Sequence, residues 1–137
     1  MINSKDFLER EIEKLNLMIL KLIILISKSN PNDFENDIKE TDEFLKTNFD
    51  LTIGEISTMS NSNFIEKIRD LHESHTDKLV ELLFEIIEKM DSIETEQGFN
   101  KHPLIEKSLL LIEYIDNNST TFSVSRLNIK NTLQQLI

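Results

Sequence analysis

The 137-residue chain contains no cysteine, no tryptophan and no alanine. Without cysteine there is no disulfide framework, no thiolate zinc site and no cysteine nucleophile, a pattern that fits a reducing compartment. Only two glycines and two prolines punctuate the chain. So few breakers, among abundant Leu, Ile, Glu and Lys, predict long helices joined by short loops. Positive charge is also scarce: 15 Lys and Arg stand against 25 Asp and Glu, for a net charge of −10. A phosphate backbone repels such a surface, and no cluster of Lys and Arg relieves it, so no nucleic-acid partner is expected. A long hydrophobic run is missing too. The most apolar stretch, Leu15–Ile26, carries Asn16 and Lys21 inside it and falls short of the roughly 20 residues that a membrane span requires. Acidic residues Asp6, Glu9, Glu11 and Glu13 precede it and SKSNPN follows it, which is not the pattern of a signal peptide. No membrane association is expected, and the cytoplasm is the expected location.

What is present is helical periodicity. In the first helix Leu8, Ile12, Leu15, Ile19, Leu22 and Ile26 recur at spacings of three and four, the mark of a helix seam. Leu17, Leu20 and Ile24 form a second stripe on another face, which predicts a helix with neighbours on at least two sides. Asn30-Pro31 reads as a cap and first position of a second helix, Pro31 to Asn48, with Phe34, Ile38, Thr41 and Leu45 inward. Residues 3–49 are expected to form an antiparallel hairpin. Residues 50–60 (DLTIGEISTMS) read as a loop with at most one helical turn. Residues 61–97 read as one helix or two, with Ser60 or Ser62 as one cap and Thr76 as another, and Gly98 as a left-handed terminus. Residues 101–137 hold a helix from Pro103 to Asp116, then a last helix with Phe122 as staple, Ser123 as cap, and Val124, Leu127, Leu133 and Leu136 inward. The expected fold is all-α: one domain over residues 1–137, a bundle of five to six antiparallel helices.

Two parts of the chain share a layout of long helix, proline-containing turn and second helix. Laying Phe34 over Leu104 sets Glu43 on Glu113, Phe44 on Tyr114 and Leu45 on Ile115, which suggests two related hairpins with the last helix as a cap. In this layout the chain resembles tetratricopeptide-like (TPR-like) helical hairpin proteins. It is also similar to a group of small bacterial helical proteins that end in LLEYID…S.TFS.ER. The residues that carry this second likeness are Leu111–Asp116 (LIEYID), Ser119, Thr121, Phe122, Ser123 and Arg126. The resemblance implies an interaction-type fold. Tetratricopeptide hairpins place small residues where helices cross closely; with no alanine, these helices are expected to cross further apart or at other angles.

Residues able to carry chemistry are few. His72 and His75 share a helix face and, with Asp77, could begin a metal site; the bland alternative is a pair of solvated histidines at a helix junction. Their spacing of three does not match the zincin pattern, and no Glu-x-x-His is present. No metal, cofactor or catalytic residue is therefore assigned. Glu113 is expected to face water, and His102 to lie exposed at a helix start. Lys21 is expected either to extend along its stem to solvent or to pair with a second-helix carboxylate. The expected function is non-enzymatic: protein–protein interaction or scaffolding, through acidic helix faces or through whatever part of Leu15, Ile19, Leu22 and Ile26 the monomer leaves uncovered. Two alternatives are a structural or regulatory homodimer with the first helix as its seam, and a small ligand- or metal-binding bundle.

Overall fold

A computed structural model describes residues 4–93 and 101–137. Its described residues form seven helices and no strand: α1 (Ser4–Ser27), α2 (Phe34–Phe49), α3 (Ile53–Thr58), α4 (Asn61–Arg69), α5 (Glu73–Ser92), α6 (Lys101–Asn118) and α7 (Val124–Gln135). The all-helical expectation holds. The count is higher than the expected five to six, because residues 50–60 contain a true short helix and residues 61–97 divide at His72.

Local chemistry sets these boundaries. The α2 helix begins at Phe34 rather than Pro31. The Asn30 Oδ1 accepts from the backbone N–H groups of Asn32 and Asp33 (3.0 Å each) and holds a turn ahead of the helix. The helix ends on Asp50, which takes a left-handed conformation (φ 56°) and pairs with Lys67 of α4 at 2.6 Å. Thr52 caps α3 by accepting from the Glu55 N–H, and Asp42 of α2 accepts from the Ile53 N–H at 2.7 Å. Those two bonds satisfy N–H groups that a helix start leaves open, and they convert the expected loop into a helix. Ser60 caps α4 and Ser123 caps α7. At the α4–α5 junction the cap is His72, whose Nδ1 accepts from the Ser74 N–H; Thr76, the expected cap, is buried inside the helix. The expected end of the 61–97 segment and the Gly98 terminus lie outside the described residues.

The core centres on α5. Leu79, Val80, Leu82, Leu83, Ile86 and Ile87 are all buried, so this helix is covered on most of its circumference, and α1, α6 and α7 pack against it. The same core takes Ile19, Leu22 and Ile26 from α1 and Leu104, Ile105, Leu111, Ile112 and Ile115 from α6, which also packs on α3 and α4. Lys89 of α5 donates to the Ser27 carbonyl and closes the α1 C-terminus, a bond that satisfies an open carbonyl and places a cation at the negative end of the helix dipole. Ser29 ties the α1–α2 turn to Asp37 at 2.6 Å.

Two expectations about packing are corrected. The second stripe of α1 is not covered: Leu17, Leu20 and Ile24 are 60%, 38% and 45% exposed. The main neighbour of α1 is α5, with a smaller contact to α2. On α7, Val124 and Leu127 are exposed, whereas Arg126, Ile129 and Leu133 are buried. An ion cluster turns the helix this way. Arg126, with a side chain only 7% exposed, donates from Nη1 to Asp77 of α5 (2.8 Å) and from Nε to Asp116 of α6 (3.0 Å). Its Nη2 donates to the Thr121 carbonyl at 2.8 Å. One guanidinium thus joins three elements in the fixed fork geometry that arginine provides. Phe122, expected as a staple, is exposed.

Two substitutions test this packing. Arg126→Ala should lower unfolding stability by about 2–4 kcal/mol in urea titrations, less than a fully buried pair because both aspartates are partly solvated. Arg126→Lys should recover only a minor part, since an ammonium cannot serve both carboxylates and the carbonyl at once. Leu22→Lys should lower the melting temperature by roughly 10 °C or more.

Candidate functional site: a groove over the central helix

With α1 and α7 both packed on α5, a groove is left open between them. One part, about 420 Å³, is lined by Asn16 of α1, Ser74, Asp77, Val80 and Glu81 of α5, and Phe122 and Arg126 beside α7. The next part, about 650 Å³, continues along Ile23, Phe84, Glu85, Ser125, Asn128 and Ile129. Glu81, Ser125 and Ile129 line both, so the two parts form one channel. Its floor carries Asp77, Glu81 and Glu85, three carboxylates at a spacing of four on one helix face.

Most charges in the groove already have partners. Lys78 pairs with Glu81 at 3.4 Å and Arg126 pairs with Asp77. Glu85 makes no ion pair among the described residues. Burial, and secondarily repulsion from Glu88, push its carboxyl above the usual carboxylate range, with Lys89 pulling the other way. Asn16 is a second acceptor without a donor. Its Nδ2 donates to Ser74 Oγ at 2.9 Å, but its Oδ1 is buried without a hydrogen bond among the described residues. A buried acceptor left open costs the desolvation of that group. What the groove offers a visitor is therefore apolar surface from Ile23, Val80, Phe84 and Ile129, together with the Glu85 carboxyl, which asks for a hydrogen-bond donor or a cation.

The histidines lie at the end of the groove. His72 is exposed and works as the α5 cap, its Nδ1 2.7 Å from Ser74 Oγ. His75 is buried; its Nε2 donates to the Ile12 carbonyl of α1 at 3.1 Å. Their rings meet edge to face at 5.7 Å, and Phe49 covers the other side of His75 at 5.3 Å. The structure brings the pair together but commits one nitrogen of each ring to a structural hydrogen bond. Among the described residues no three His, Asp or Glu groups converge as metal ligands. Glu113 is exposed, and His102 pairs with Glu106 at 3.2 Å on the surface. Of the expected interaction residues, Ile19, Leu22 and Ile26 are buried and Leu15 is half-buried, so the C-terminal half of the first seam is covered within the chain, whereas Leu8 at its start is exposed. Among the described residues no helix is long and apolar enough to cross a membrane.

Sequence reasoning missed Asn16, Ser74 and Glu85 as a group. The signal for Asn16 was in plain view, as a lone amide in an apolar run. Its partner Ser74 lies 58 residues away, a distance that no local pattern bridges. Compared with known proteins, the chain matches no protein-family model, no curated protein and no solved structure.

Burial lowers the His75 basicity, and His72 adds repulsion, against the opposing effect of the Ile12 carbonyl. A lowered folded-state value means that the unfolded chain binds the proton first. Stability is full above the ordinary imidazole value, about 6.5, and falls as pH drops below it toward the folded-state value. Urea titrations at pH 7.5 and 5.5 should therefore show lower stability at 5.5, and His75→Gln should reduce that difference.

Proposed function

We propose that the chain is a non-enzymatic helical interaction protein whose α1–α5–α7 groove receives an amphipathic helix of a protein partner bearing Lys or Arg beside its apolar residues. The observation that carries this reading is the open groove, in which apolar side chains stand beside Glu85, a carboxyl that makes no ion pair among the described residues. Helix-in-groove recognition combines apolar anchors with a charged edge, and Ile23, Phe84 and Ile129 supply the apolar part. The net charge of −10 would steer a basic partner toward the surface.

The tetratricopeptide-like reading belongs to the same proposal. Positions laid over one another in the two hairpins have the same burial: Phe34 and Leu104 are buried, Glu43 and Glu113 exposed, Phe44 and Tyr114 half-buried, Leu45 and Ile115 buried. That agreement supports two related helical hairpins with α7 as a cap. The reading as a homodimer through Leu15–Ile26 has less support, because Ile19, Leu22 and Ile26 are spent on α5.

The test uses a fluorescent helical peptide with leucines along one stripe and lysines beside them. Its anisotropy should rise with the protein and the binding should weaken with salt. Glu81→Lys with Glu85→Lys should weaken binding at least about tenfold. Glu35→Lys with Glu43→Lys, the same charge change on α2, should alter it less than about twofold. Equal loss in both variants would mean that overall charge alone holds the peptide, and the groove reading would fail.

A further inference from the structure

The outer face of α1 has a different character from the groove. Leu17, Leu20 and Ile24 stand at positions i, i+3 and i+7, directly across the helix from the buried Ile19, Leu22 and Ile26. This is the spacing by which one helix anchors in another protein. Along one edge of the stripe run Lys14, Lys21 and Lys28, seven residues apart and all exposed. None of the three makes an ion pair among the described residues, although carboxylates outnumber cations in the chain. Lys21 therefore projects to solvent, and it does so as the middle member of a row. Along the other edge lie Glu9, Asn16 and Ile23, with no cation. In heptad terms Leu17 and Ile24 take position a, Leu20 takes d, the lysines take e, and Glu9, Asn16 and Ile23 take g.

These flanks bear on what can cover the stripe. A second copy docked antiparallel through this face would set e against e, lysine row against lysine row, which is repulsive. Docked in parallel it would set e against g, where only Lys14 meets an acid, Glu9. Three anchors are also far fewer than the roughly 20–30 residues a side of a stable protein interface. A single helix needs fewer anchors. The stripe is presented rigidly as well, since Ile19, Leu22 and Ile26 fix α1 on α5 and Lys89 closes its end; a pre-ordered surface loses less on binding.

We infer that the outer face of α1 is a second docking surface, and that its occupant is an amphipathic helix of another protein with carboxylates along the edge that meets Lys14, Lys21 and Lys28. This surface meets the groove along Asn16 and Ile23 but carries its lysines on the opposite edge, so it selects the opposite charge.

Two synthetic peptides of about three heptads, identical in their leucine seam but carrying Glu or Lys at the flanking positions, provide the test. Measured by anisotropy, the Glu peptide should bind wild-type protein and the interaction should weaken with salt. The triple change Lys14→Glu, Lys21→Glu, Lys28→Glu should weaken the Glu peptide at least about tenfold. So should Leu17→Ser, Leu20→Ser, Ile24→Ser. Glu81→Lys with Glu85→Lys in the groove should leave it bound, which separates this surface from the groove reading. Every substituted residue is exposed, on α1 or, for Lys28, in the turn just after it, so circular dichroism and melting temperature should match wild type. Failure of the Glu peptide to bind overturns the inference, as does binding that survives the lysine reversal. A wild-type dimer in sedimentation that the serine variant dissolves would assign the stripe to a second copy and overturn it equally.

Discussion

Burial of α5 on most of its circumference is the constraint from which the rest of the arrangement follows. A helix with Leu79, Leu82, Leu83 and Ile86 on one stripe and Val80 and Ile87 on another cannot be satisfied by a single neighbour. It needs α1, α6 and α7 around it. The arginine cluster then fixes how the last of them sits. Arg126 reaches Asp77 on α5 and Asp116 on α6, so α7 presents its charged position inward and its apolar Val124 and Leu127 outward. Electrostatic pairing here overrules the apolar pattern of a short helix.

Helix periodicity was the most legible part of the chain. The seams of α1, α2, α5 and α6 contain most of the residues that are buried, and Ser60 and Ser123 cap where their types predict. Legibility failed where a long-range partner decides the outcome. Asp42 supplies the acceptor that lets α3 start at Ile53. His72 rather than Thr76 caps α5 because its ring folds onto Ser74. Asn30 forms a side-chain turn that delays α2 past Pro31. The more instructive miss concerns α1. An apolar stripe on two faces predicts burial on two faces, yet the count of available neighbours, not the hydropathy, sets how much is covered. The site residues were harder still. Asn16 and Ser74, or Asp77 and Arg126, become neighbours only once the helices are assembled.

The surfaces that result are segregated by charge. On one side of α1 lies a channel floored by Asp77, Glu81 and Glu85; on its far edge lies the row Lys14, Lys21 and Lys28. Both borders belong to one rigid helix. An acidic molecule can therefore display a local basic edge while keeping its strongly negative net charge.

The Asn16–Ser74 bond joins residues 58 positions apart, and the His75–Ile12 bond joins residues 63 apart, whereas Lys101 of α6 meets Asp91 of α5 across only 10. Closing a longer loop costs more chain entropy. Joining α1 to α5 therefore costs more chain entropy than joining α6 to α5 does, and the contacts of α1 with the core must offset that larger cost. The helix that borders the groove is thus also the one whose docking closes the longest of these loops.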